Sequence, residues 1–192
     1  MDEYLSLLQR VDAWYREVKE KHPEKVPCAK GCRDCCLGLF DVSLLDGALL
    51  REGLATLDEA TRQDIRARAA DVVARLRALY PDLGDDLDGW DPDDVDDLCD
   101  ALGDVECPVL GREGECRLYA WRPLTCRMSG VPVVDVTGET IYPEGCAKCS
   151  LQAKDTPRLD CGALRKRERK LLRARFREKA GVTQLIAQAL AT

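Results

Sequence analysis

Apolar residues recur at helical spacing through most of this chain and alternate at strand spacing in only one short stretch. From about Asp2 to Lys21, Leu5, Leu8, Val11, Tyr15 and Val18 fall along one side of a helix. Pro23 closes it by disfavouring helical geometry at His22. Ser43 can cap a short helix reaching Leu50. Thr56-Leu-Asp-Glu59 reads as a capping box opening a long helix, with Ile65, Ala69, Val72, Leu76 and Leu79 inward and Pro81 beyond its end. Asp91-Pro92 is an N-cap and first-turn pair, after which Val95, Leu98, Cys99 and Leu102 keep to one stripe until Gly103. Asp160 can cap a basic helix running to Ala180, and Gly181 separates it from a last short helix with Val182, Leu185, Ile186 and Ala189.

Strand signals are few. Val131–Val136 and Glu139–Tyr142 flank Thr137-Gly138, which predicts one small hairpin, and Cys116–Tyr119 reads as a short strand or turn beside it. There is no strand–helix alternation, no P-loop and no glycine-rich dinucleotide cradle. The expected fold is mainly α with a small β-hairpin, its irregular cysteine-rich loops tied together by metal. The expected organisation is an N-terminal helix (1–27), a cysteine-cluster domain (28–150) with a helical insertion at about 43–103, and basic C-terminal helices (151–192) packing on the same domain.

Charge sharpens this picture without redirecting it. The chain has 192 residues and a net charge of −6, which does not suit a general nucleic-acid or membrane binder. Between Pro81 and Glu106 lie twelve acidic residues and no Lys or Arg, and between Arg158 and Lys179 lie ten basic residues and three acidic ones. Both runs carry apolar positions at helical spacing, so they read as solvated helix faces, facing each other or not. No apolar run approaches the roughly 20 residues a bilayer requires.

Thiols are the candidate chemistry. The chain holds 11 cysteines and one histidine, and Cys28, Cys32, Cys35 and Cys36 crowd into CAKGCRDCC. The N-terminus carries no apolar signal segment, so the expected compartment is the reducing cytoplasm, and an odd number of thiols cannot pair completely. Soft-metal ligation is the better reading. Short spacings let one turn present two sulfurs to an ion, as in Cys28-x3-Cys32 and the knuckle Cys146-x2-Cys149, and Gly31 eases such a turn. Adjacent Cys35 and Cys36 point different ways and suit two neighbouring metals or a polynuclear cluster. Zinc held by thiolates and an iron-sulfur centre both remain open, because spacing does not choose between them. The spacing Cys28-x3-Cys32-x2-Cys35 is also that of radical SAM enzymes, but the repeated strand–helix units of their barrel are missing. Cys99 reads as a small core residue, Cys161 as a thiol at a helix start, and His22 as a helix-end residue and not a ligand.

Downstream lie Cys107-Pro108, then Cys116, then Arg122-Pro-Leu-Thr-Cys126-Arg127, and later Cys146. With the front cluster, this ordered set resembles the YkgJ-type cysteine-cluster family, the CxxCxxCC domain, over roughly Cys28 to Cys149. Cys28-x3-Cys32 is one residue longer than the family's name implies. The resemblance implies chelation of zinc or iron by Cys28, Cys32, Cys35, Cys36, Cys107, Cys116, Cys126 and Cys146, and the knuckle adds Cys149. Arg122 and Arg127 flank Cys126 and can balance thiolate charge, or simply anchor the loop.

The expected function is non-enzymatic metal binding, as a carrier, sensor or metal-stapled domain with metal ions and a protein as partners. A related cluster occurs in bacterial flagellin lysine methylases, which makes cluster-dependent catalysis the alternative. A zinc-stapled nucleic-acid module using Arg165–Lys170 is a third reading, disfavoured by the acidic balance and the lack of interleaved aromatics.

Overall fold

The computed structural model describes residues 1–29, 31–103 and 105–191, so Asp104 of the acidic run lies outside the described residues. Helix α1 spans Asp2–Lys21, as its periodicity predicts. Its buried stripe is Tyr4, Leu7, Leu8, Val11, Trp14 and Val18, rotated from the expected one, so that Leu5 and Tyr15 sit only partly buried at its edge. The stripe packs on the start of α2 (Leu44–Ala55), on α5 (Leu124–Met128) and on α6 (Cys161–Phe176).

Ser43 caps α2 by accepting the Asp46 N–H at 3.2 Å, but the helix runs five residues past Leu50. That extension overturns the expected capping box. Thr56 becomes the C-cap of α2, and its hydroxyl donates to the Gly53 carbonyl at 2.7 Å. Asp58 therefore caps α3 (Glu59–Leu79), accepting from the Thr61 N–H. Ile65, Ala69, Val72 and Leu76 of α3 face inward, but Leu79 is 57 % exposed because the core ends one turn earlier. Helix α4 (Pro92–Asp100) starts at the Asp91 cap and buries Leu98, and Gly103 follows with φ +55°.

The hairpin forms, shorter than expected: β2 (Val133–Val134) pairs antiparallel with β3 (Thr140–Tyr142). Asp135 ends β2 because its carboxylate turns to accept the N–H groups of Thr137 at 2.8 Å and Cys161 at 2.9 Å. It thereby ties the hairpin to the start of α6 beside the Asp160 cap. At the C-terminus the expected short helix is corrected. Thr183–Leu185 is a strand, β4, paired antiparallel with β1 (Asp41–Ser43), and only Ile186–Leu190 is helical (α7). The partners lie more than 100 residues apart, so no local pattern announces them.

Three apolar clusters result. One joins α1, α2, α5 and α6, a second joins α2 and the start of α3 to residues 107–118 and α7, and a third joins the end of α3 to Leu83, Leu87, Leu98 and β4. The acidic and basic runs do meet, through Lys179, 2.6 Å from Asp86 and 4.0 Å from Asp88. Among the described residues no helix is long and apolar enough to cross a membrane.

Candidate metal centre

The cysteine loops are held by backbone contacts from distant segments. Gly31, with φ +90°, turns the chain just before Cys32, and a Cβ on Gly114 would come 2.7 Å from the Gly31 carbonyl, so the two glycines allow the loops to cross. A 3-10 turn over Asp34–Cys36 follows. The Cys107 N–H then donates to the Cys36 carbonyl at 2.8 Å, and Leu37 bridges Glu106, setting the double-cysteine step against Cys-Pro. Leu110 bridges Cys116, and a 3-10 turn over Tyr119–Trp121 leads to Pro123 and α5, which carries Cys126. Gly130, with φ +94°, accepts the Cys146 N–H at 3.2 Å, and the Cys149 N–H donates to Cys146 at 2.8 Å to close the knuckle. Lys148 reaches Asp34 at 2.7 Å, joining the knuckle to the front loop.

Eight of the thiols sort into two sets. Cys28 is within electrostatic reach of Cys32 and Cys146, and Cys149 of Cys28 and Cys146. Cys28 and Cys149 both lie against the α1 cluster. Cys36, Cys107, Cys116 and Cys126 line the second cluster, with Cys126 in reach of Cys107 and Cys116. Cys35 stands between the sets: it hydrogen-bonds Cys36 and acts on Cys28, Cys107, Cys116 and Cys126. No thiol is among the largest charge effects on Cys99 or Cys161, which come from Asp41 and Asp135, although Cys161 lies in the α1 cluster that Cys28 and Cys149 pack against. His22 lies at the C-terminal end of α1, its N–H donating to Val18.

Among the described residues, no three His, Cys, Asp or Glu side chains are drawn closely enough together to hold one ion in this conformation. The chemistry of the donors nevertheless fits zinc or iron. They are soft sulfurs in a partly buried setting, and burial favours their neutral form until a cation arrives to balance it. Burial pushes Cys107 up to about 11, and raises Cys28, Cys116, Cys126 and Cys149 as well. Cys35 is raised chiefly by its hydrogen bond with Cys36.

These shifts make the metal-free protein sensitive to alkali. Burial lifts Cys107 from its ordinary 9.0 to about 11, so the folded state holds this proton more tightly than the unfolded chain. The resulting stabilisation is complete below pH 9 and is lost as pH rises through about 11. Thermal unfolding of the metal-free protein is expected to lose about 2–3 kcal/mol across that interval from Cys107 alone. A flat stability profile from pH 8 to 11 would contradict the assigned burial.

The two arginines differ in setting. Arg127 is buried, and each of its guanidinium nitrogens is engaged: Nε donates to the Arg122 carbonyl at 2.8 Å, Nη2 to the Ala120 carbonyl at 2.8 Å, and Nη1 to Asp12. Arg122 lies 3.8 Å over the Tyr119 ring, and its charge acts on Cys35, Cys116 and Tyr15. Sequence patterns gave no sign of Asp12, of Asp34, or of Tyr15 and Lys19 facing Cys28, since each acts across a tertiary contact.

Residues 27–147, more than half of the chain, match a family model described as "Putative zinc- or iron-chelating domain". The chain belongs to the CxxCxxCC family. The match ends within the knuckle, leaving out Cys149 and the whole of α1. No curated protein and no solved structure matches the chain significantly.

Proposed function

We propose that this chain is a non-enzymatic metalloprotein that binds zinc or iron through cysteine thiolates of the two sets. Cys28, Cys32, Cys146 and Cys149 would serve one, and Cys35, Cys36, Cys107, Cys116 and Cys126 the other. The supporting observation is that thiols from three separated stretches (28–36, 107–126 and 146–149) come within electrostatic reach of one another, whereas the charges acting most on Cys99 and Cys161 are carboxylates. Cys35 lies where it can serve either group. Zinc would crosslink loops that the small apolar clusters hold only at their edges, and iron, as an iron-sulfur centre, would add electron transfer.

The protein's own contribution is to hold Cys107, Cys116 and Cys126 as neutral thiols by burial and to manage the charge that ligation creates. A four-thiolate zinc site carries a net charge of −2. Arg122 is placed to balance part of it, while Arg127 and Asp12 hold the Cys126 turn on α1. Such thiols persist in a reducing compartment, which fits the cytoplasm.

The test is anaerobic purification with metal analysis and a visible spectrum of the same sample. Stoichiometric zinc in a colourless protein, or iron with sulfide and a broad band near ~400 nm, would support the reading and choose the metal. Protein that carries neither, and takes up neither when reduced and reconstituted, would end it.

A further inference from the structure

We propose that α1, outside the segment shared with the family, positions Cys28 for metal through Tyr15, whose hydroxyl shares the space over Gly130 with the Cys28 sulfur, and Lys19, whose ammonium holds the Cys28 carbonyl. The inference rests on the reading of Cys28 as a ligand. Tyr15 and Lys19 are one turn apart on one face of α1, so a single rigid helix addresses both ends of one residue. Lys19 Nζ lies 2.6 Å from the Cys28 carbonyl oxygen. On the other side, a Cβ built on Gly130 would meet the Cys28 sulfur at 3.5 Å and the Tyr15 hydroxyl at 3.8 Å, so both atoms fill the space over that glycine. There the Tyr15 hydroxyl is placed to donate to the Cys28 sulfur.

The ring is fixed independently of the thiol. Trp14 packs edge-on at 6.3 Å from Tyr15, and its indole N–H donates to the Pro157 carbonyl at 2.7 Å. Burial on an amphipathic helix explains the ring's place, but not a hydroxyl set over Gly130 beside a sulfur. A donor to a ligating sulfur withdraws electron density from it and restricts its rotation, and loss of such partners typically weakens a site by about 10–100-fold.

The test uses the full chain, loaded in parallel with Zn(II) and with Co(II) as a spectroscopic probe, and compares wild type with Y15F, K19M and C28S. Y15F and K19M are each expected to lose zinc to a chelator about tenfold faster than wild type. In Y15F the sulfur-to-cobalt charge-transfer band is expected to move to longer wavelength, because the sulfur has lost its donor. A packing role alone would lower the melting temperature and leave the band in place. K19M leaves the ring untouched and reads the same positioning if Y15F does not fold. Wild-type release rates with an unmoved band would overturn the proposal; metal loss in C28S would then leave the chelation reading standing. Full metal retention in C28S would remove Cys28 from the ligands, and this inference with it.

Discussion

Serine at Cys126 or at Cys35 is expected to lower bound metal by about one ion per chain and to unfold the cysteine loops, the largest effect of any single change here. Cys126 sits on a five-residue helix that buries Leu124 and Arg127, and its thiol is in reach of Cys107, Cys116 and Cys35. Serine preserves its size but removes the soft donor that zinc or iron takes. Cys35 tests a different property, since it is exposed and still acts on both thiol sets, so C35S is expected to disturb metal at both. C99S is the control, expected to retain full metal. Metal analysis and thermal melts of the three variants decide the matter: full metal and unchanged melting in both C126S and C35S would sink the ligand assignment.

Replacing Asp46 by alanine is expected to destabilise the fold by about 3–4 kcal/mol without removing a thiol. Asp46 is 2 % exposed. Its Oδ1 accepts the Tyr4 hydroxyl of α1 at 2.7 Å and the Leu124 N–H, the first of α5, at 3.0 Å; its Oδ2 accepts the Ser43 hydroxyl at 3.1 Å. Glu168 of α6 approaches the same Tyr4 hydroxyl at 3.4 Å. One carboxyl group thus joins α1, α2 and the turn that carries Cys126. Alanine strands two buried donors, each worth about 1–3 kcal/mol when left unsatisfied, whereas D46N keeps a carbonyl acceptor and should cost less. Chemical denaturation measures both, and a D46A loss below about 1 kcal/mol would show that the tie is not structural.

Much of this protein is legible along the chain. Helix α1, the Asp91-Pro92 start of α4, the Asp160 cap of α6 and the Thr137-Gly138 turn are set by residues within a few positions of one another. Their determinants are short-range: an oxygen beside a free N–H, a ring that fixes φ, an apolar stripe of one period. The family, too, is written in ordered cysteines and in Arg122-Pro-Leu-Thr-Cys126-Arg127, because thiol chemistry leaves few other uses for such spacing.

The errors have a common cause. Thr56 carries the right residue type for an N-cap, but the packing of α2 through Leu54 continues that helix and turns Thr56 into its end. Thr183–Leu185 has helix-compatible spacing, yet becomes a strand because Asp41–Ser43 offers it a ladder. The division of eight thiols into two sets, the place of Cys35 between them, and the approach of Tyr15 and Lys19 to Cys28 likewise depend on which distant backbones meet at Gly31, Gly114 and Gly130. Sequence alone determined which groups are available for chemistry and which helices carry them, because those properties are local. Only the tertiary structure decided which groups face one another, because that depends on packing between segments as much as about 160 residues apart.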